Sequence, residues 1–96
     1  MKGGWVYILA NRKHGALYTG VTAEIAARME QHRASKGSRF CAENGITRLV
    51  HVEWHDTIED AIRREKAVKK WRRAWKVELI ENANPDWRDR WFEING

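Results

Sequence analysis

Residues Val6 to His32 read VYILANRKHGALYTGVTAEIAARMEQH, a stretch in which the signals of two short strands and the first helix meet. Trp5 to Ala10 and Leu17 to Thr22 are apolar, β-branched and aromatic runs separated by polar and glycine residues of turn type, a hairpin signal. With a four-residue connection over Asn11 to His14, position i pairs with position 25 − i, so Tyr7 faces Tyr18. An even-length loop keeps both rings on one side of the ribbon. Two strand tyrosines can equally be a cross-strand pair filling a core, so their meaning depends on the helix next in the chain.

Thr22 is a good N-cap and Glu24 suits the positive end of a helix dipole, which predicts a helix from Ala23 to about Ala34. At helical spacing Ile25 and Met29 mark its buried stripe, Arg28 and His32 share that stripe, and Glu30 and Gln31 face away. An inward guanidinium is costly without a partner. The chain must offer Arg28 a structural carboxylate, a substrate phosphate or water.

Ser35 to Thr47, with Gly37 and Gly45, reads as a loop in which Lys36 and Arg39 are candidates for phosphate-backbone contact and Cys41 is an inert small hydrophobe. Arg48 to His55 reads as a third strand, apolar enough at Leu49 to Val52 for a central position. His51, Glu53 and His55 alternate onto one face, but three donors on one strand fall short of a zinc shell.

Thr57 to Asp60 has the form of a capping box and opens a helix whose stripe is Ile58, Ala61, Ile62, Glu65 and Val68. Between Arg63 and Lys76 there are eight basic residues and one acid, Glu65, and that acid lies on the inward face. A surface pattern would set it outside among its bases. Glu65 is either paired with Arg28 or reserved for a divalent cation, with surrounding bases such as Lys69, Arg73 and Lys76 holding phosphates. One straight helix to Asn84 would span about 38 Å, too long for so small a domain. A break is expected between Lys70 and Arg73, and then a third helix, Ala74 to Glu81, with Trp75 and Leu79 inward. Asn84, Pro85 and Asp86 end it, and Trp87 and Trp91 seal the core.

The chain of 96 residues makes one domain, residues 1–96, with a core over about 4–80 and residues 84–96 packing on it. Eighteen Lys and Arg against thirteen Asp and Glu give a net charge of +5, which favours a polyanionic partner. The single cysteine excludes an internal disulfide and fits a reducing compartment. No leader or membrane-spanning run is visible, so a soluble cytoplasmic protein is expected.

Tyr7, Tyr18, Arg28, His32 and Glu65 thus converge on inward faces of different elements. Val6-Tyr7-Ile8, then Tyr18-Thr19-Gly20, then Arg28 with His32 four residues on, and a distant helical Glu65, resemble the GIY-YIG nuclease family, above all its small stand-alone bacterial members, over roughly residues 4–80. The resemblance implies an α+β fold, a small three-stranded mixed sheet flanked by three or more helices. It also implies phosphodiester cleavage with one divalent metal ion, usually Mg2+. Position by position, Tyr7 matches the tyrosine that activates the attacking water and Tyr18 that of the second motif. Arg28 matches the arginine on the scissile phosphate, Glu65 the metal ligand, and His32 a histidine that assists proton removal in some members. Trp5 stands in place of the first glycine of the family name and Thr19 in place of an isoleucine. Many members carry an asparagine on the last helix near the site, for which Asn82 is only a loose match.

The expectation is a metal-dependent endonuclease acting on DNA with low sequence specificity, in repair or processing, with RNA left open as substrate. No small-molecule cofactor and no membrane enter, and targeting comes from DNA shape or a protein partner. The rival is a nucleic-acid-binding module of the same fold that does not cut; the basic run with Trp71 and Trp75 interleaved speaks for nucleic acid in either case.

Overall fold

A computed structural model describes residues 3–95 of the chain. Strand β1 (Gly4–Ala10) is joined to β2 (Leu17–Thr22), and then come α1 (Ile25–Arg33), α2 (Arg39–Asn44), β3 (Arg48–His55), α3 (Ile58–Lys70), α4 (Arg73–Ala83) and α5 (Trp91–Asn95). The sheet order is β2-β1-β3 and both pairings are antiparallel. The fold is therefore α+β as expected, but the sheet is antiparallel throughout rather than mixed, and β1, not β3, is central. Val6 to Ala10 are fully buried because they are covered on both faces.

On one face Tyr7 and Leu9 pack with Ile25 and Met29 of α1, Cys41 of α2, and Ile46 and Leu49. On the other Ile8, Ala10 and Val50 pack with Val68 of α3, Ile80 of α4 and Trp87. A Cβ added to Gly4 would come within 2.6 Å of Ile58 and 2.9 Å of Ala61, so the start of α3 is pressed onto β1 where only glycine fits.

The hairpin connection is six residues long instead of four. Asn11 Oδ1 accepts from the Ala16 N–H at 2.9 Å, and the Gly15 N–H reaches the Arg12 carbonyl at 2.9 Å. The register sum moves to 27: Tyr7 faces Gly20 and Tyr18 faces Leu9. A slip of two preserves the face, so both tyrosines still point toward α1.

Helix α1 starts later than expected because Thr22 Oγ1 accepts from the Glu24 N–H at 3.1 Å and makes a local turn. The stretch expected as a loop contains α2, capped by Ser38, whose Oγ accepts from the Cys41 N–H at 3.4 Å, and closed by Gly45 at φ 63°. Thr57 caps α3 by accepting from the Asp60 N–H at 3.1 Å, and the helix breaks between Lys70 and Arg73 as the length argument required. In α4 the inward residue is Ile80, whereas Trp75, expected inside, is half exposed.

The C-terminal segment closes the β3 edge. Asn84 donates to the Val50 and Arg88 carbonyls at 3.1 and 2.8 Å and accepts from the Arg88 N–H at 3.0 Å. Asp89 Oδ1 takes the Leu49 N–H, and the Arg90 N–H reaches the Leu49 carbonyl at 2.7 Å. Trp87 is fully buried, with its indole N–H donating to Glu81 at 2.7 Å. Trp91 is partly buried against the α1-side cluster. No helix among the described residues is long and apolar enough to cross a membrane.

Candidate active site

The site starts from a missing side chain. Gly20 lies opposite Tyr7, and a Cβ there would come within 2.4 Å of the phenol carbon and oxygen. The tyrosine can lie flat across the ribbon only over glycine, which puts its hydroxyl against edge strand β2. There the oxygen accepts from Arg28 Nε at 3.2 Å and lies 3.1 Å from His32 Nε2. Arg28 and His32, one turn apart on α1, reach the same atom because the helix packs its Ile25–Met29 stripe beside Tyr7.

The other Arg28 donors go to the Gln31 side-chain carbonyl at 3.0 Å and the Gly37 carbonyl at 3.1 Å. Among the described residues no carboxylate pairs with this guanidinium. Of the alternatives open at the level of sequence, the structural carboxylate is not what the described residues provide. Gly37 also bounds the histidine, since a Cβ there would lie 2.7 Å from His32 Nδ1. The Tyr18 ring completes the cluster, with centroid 5.5 Å from His32 and 6.4 Å from Tyr7.

The electrostatics favour neutral forms. Burial pushes the Tyr7 hydroxyl above its usual pKa, and the hydrogen bond and charge of Arg28 only partly offset this. His32 is lowered to about 4, first by burial and then by the Arg28 charge. At neutral pH the imidazole is therefore uncharged. Its Nε2 faces a phenol that can donate to it, while Nδ1 is buried without a partner among the described residues.

A model of the GIY-YIG catalytic domain matches residues 3–78. The chain belongs to the GIY-YIG family. A UPF0213 protein of Syntrophus aciditrophicus is 36% identical over 87 residues, 90% of this chain and 98% of that protein. A UPF0213 protein of Staphylococcus aureus is 32% identical, covering 84% and 98%. The solution structure of a UPF0213 protein from Bacillus halodurans superposes with a TM-score of 0.52 at 34% identity, covering 82% of this chain and 83% of that one.

In this GIY-YIG domain the four residues Tyr7, Tyr18, Arg28 and His32 form one cluster. Glu65 comes from elsewhere. It is buried on α3 between Ala61 and Val68, on the stripe that packs against the opposite sheet face, and its carboxylate pairs with Lys69 rather than Arg28. Helix α3 crosses β1 and also reaches β2, the edge against which the Tyr7 hydroxyl lies. No three His, Cys, Asp or Glu residues gather as a metal-binding group among the described residues. Glu65 offers one hard oxygen donor, which fits a magnesium site whose remaining ligands are water and phosphate oxygens. His51, Glu53 and His55 do not form a second such site. Both imidazoles and Arg64 hold Glu53 at 2.7–3.0 Å, and although burial opposes it, these bonds bring the carboxyl below its usual range.

The bases named from sequence divide by environment. Lys36 is exposed, and Arg39 is exposed with Glu43 at 2.8 Å. Lys69 neutralises Glu65. Arg73 donates to the His14 and Gly15 carbonyls at 2.9 and 2.6 Å, bracing the hairpin, and Lys76 reaches the Lys69 carbonyl at 3.3 Å. Two residues of the site escape a sequence reading: Gln31, whose helical position faces away although its side chain holds Arg28, and Gly37, for which no local pattern gives a signal. Gly20 is legible through its motif. The Asn82 side chain makes no hydrogen bond among the described residues, and Asn84, the buried asparagine of the segment, is occupied with backbone.

Proposed function

We propose that this protein hydrolyses DNA phosphodiester bonds as a divalent-metal-dependent GIY-YIG endonuclease of low sequence specificity. The observation that carries the reading is Arg28, a partly buried guanidinium whose partners are a phenol, an amide and a peptide carbonyl, with no counter-anion among the described residues. A scissile phosphate supplies the missing charge, and the same contact steadies the negative charge that grows on the phosphorus oxygens during attack.

Hydrolysis also needs a group to take the proton of the attacking water. The Tyr7 oxygen accepts from Arg28, so its own hydrogen is free to point at His32 Nε2. As water attacks, the phenol oxygen takes the water proton while handing its own to Nε2, and no free phenolate is needed. The neutrality of His32 keeps that acceptor open. Phosphate binding to Arg28 removes one of the two causes that depress the imidazole, raising its proton affinity when the substrate arrives. Tyr18 walls the imidazole, and Gly20 and Gly37 leave room for the two rings. Glu65 would hold the metal ion, which when bound supplies positive charge to the leaving oxygen.

The test is relaxation of supercoiled plasmid by purified protein in magnesium and then in excess chelator, beside Glu65→Ala and Tyr7→Phe. Wild type should nick only with metal, and each variant should lose at least about a hundredfold in rate while still binding DNA. Binding should weaken with salt at a log–log slope of about −0.9 per phosphate contact. Wild type that binds but never nicks under any divalent metal would leave only the binding-module reading.

A further inference from the structure

The elbow between α3 and α4 holds a cleft of about 320 Å³ lined by Trp71, Trp75, Glu78, Leu79 and Asn82, which the hydrolytic reading does not use. Its aromatic wall is an angle: the Trp71 and Trp75 rings stand 6.1 Å apart at 81°, edge to face. Trp75 is 51% exposed, although α4 fills its core position with Ile80. Trp71 and Trp75 together give the cleft an aromatic wall that the core only partly buries.

The surroundings are cationic and the cleft is not. Arg64 lies over Trp71 at 5.0 Å and Arg72 over Trp75 at 4.8 Å. The side chains of Glu78 and Asn82, one helical turn apart, make no hydrogen bond among the described residues. Indole rings beside guanidinium groups, with an acceptor and an amide at one end, form a stacking platform with a polar edge.

We propose that this cleft binds one unpaired nucleobase, and that it prefers guanine. The proposal rests on the nucleic-acid reading above and adds a substrate feature to it. Any base can stack on the indole, whereas only guanine presents the neighbouring N1 and N2 hydrogens that a carboxylate can accept together, with O6 beside them as acceptor for an amide donor. Glu78 takes the first role and Asn82 the second. Adenine and cytosine each turn a ring-nitrogen lone pair toward the carboxylate, and thymine offers a single N3 hydrogen between two carbonyls, so none makes the paired contact. Arg72 meets a phosphate beside the bound base, while Arg64 stays on Glu53 and supports the Trp71 wall.

The experiment measures affinity in chelator, where no cutting occurs, for an oligothymidylate, the same strand with one central guanine or one central adenine, and a duplex. The guanine strand should bind about tenfold more tightly than the other two single strands. Glu78→Gln should abolish that preference, lowering affinity for the guanine strand relative to oligothymidylate. Trp75→Ala should weaken all single strands by about tenfold and leave duplex binding unchanged. Trp75 is exposed, and thermal melting of both variants checks that they fold.

Equal affinity for the guanine and adenine strands, or equal losses on single strand and duplex in Trp75→Ala, would overturn the proposal. Guanine-dependent binding by a protein that never nicks plasmid defeats the nuclease reading alone. Nicking without base preference defeats the cleft alone.

Discussion

His32 has a cost that a core histidine need not carry. Its folded pKa of about 4 lies below the 6.5 of an exposed imidazole, so between these values the unfolded chain binds a proton that the folded chain refuses. Stability must therefore fall as pH drops from 6.5 toward 4, by an amount of order 2 kcal/mol from this residue. Glu53 acts in a lower window, because a carboxyl held below its usual range contributes fully above 4.5 and loses that contribution only as pH falls further. Urea denaturation of wild type and His32→Leu at pH 7 and 5 should show the pH-dependent loss in wild type and its reduction in the variant. An equal loss in both would place the imidazole in solvent. At Gly20 steric contact decides: Gly20→Ala sets a methyl against the Tyr7 hydroxyl, so we expect a loss of about 1–3 kcal/mol together with loss of nicking. A melting curve and a plasmid assay on the one variant check both halves.

At the scale of elements, the strands and α3 are legible in the sequence because their signals are local. Val6 to Ala10 is a continuous apolar run, as burial on both faces demands, and Thr57 caps α3 through the pattern its sequence spells. Helix α2 is not legible: six residues with Cys41 as the single buried one produce no period to detect. The hairpin register differs by two from its sequence expectation because a side chain, Asn11, closes the loop. Trp75 is expected inward and lies outside because α4 carries apolar residues on more than one side, Val77, Leu79 and Ile80, and only packing selects among them. Asn84 reads as a helix terminator and is in fact a buried clamp between α4, β3 and the C-terminal segment. Asn84→Ala leaves two carbonyls and one N–H short of partners, which should cost about 2–4 kcal/mol and lower the melting temperature by roughly 10–20 °C. Calorimetry measures it, and activity per folded molecule at low temperature should be unchanged, since this asparagine holds backbone rather than substrate.

For the molecule as a whole, the basic balance, the α+β class and four of the five candidate site residues can be placed from sequence, the four because they sit on one hairpin and the helix after it. Strand order and the antiparallel sheet cannot, since they depend on pairings between β1 and β3 across 38 to 51 residues. Glu65 likewise relates to the others only through the tertiary fold. Helix α3 packs on the face opposite α1, and it reaches the β2 edge against which the Tyr7 hydroxyl lies. The proposed hydrolysis requires that a metal ion on Glu65 and the Tyr7–Arg28–His32 cluster serve a single phosphate. Paramagnetic broadening by Mn2+ tests it most directly, read on the Tyr7 and His32 ring resonances with a non-cleavable phosphorothioate oligonucleotide bound. In wild type both rings should broaden selectively, and the broadening should disappear in Glu65→Ala. Broadening that persists in the variant, or that leaves both rings sharp in wild type, would contradict it.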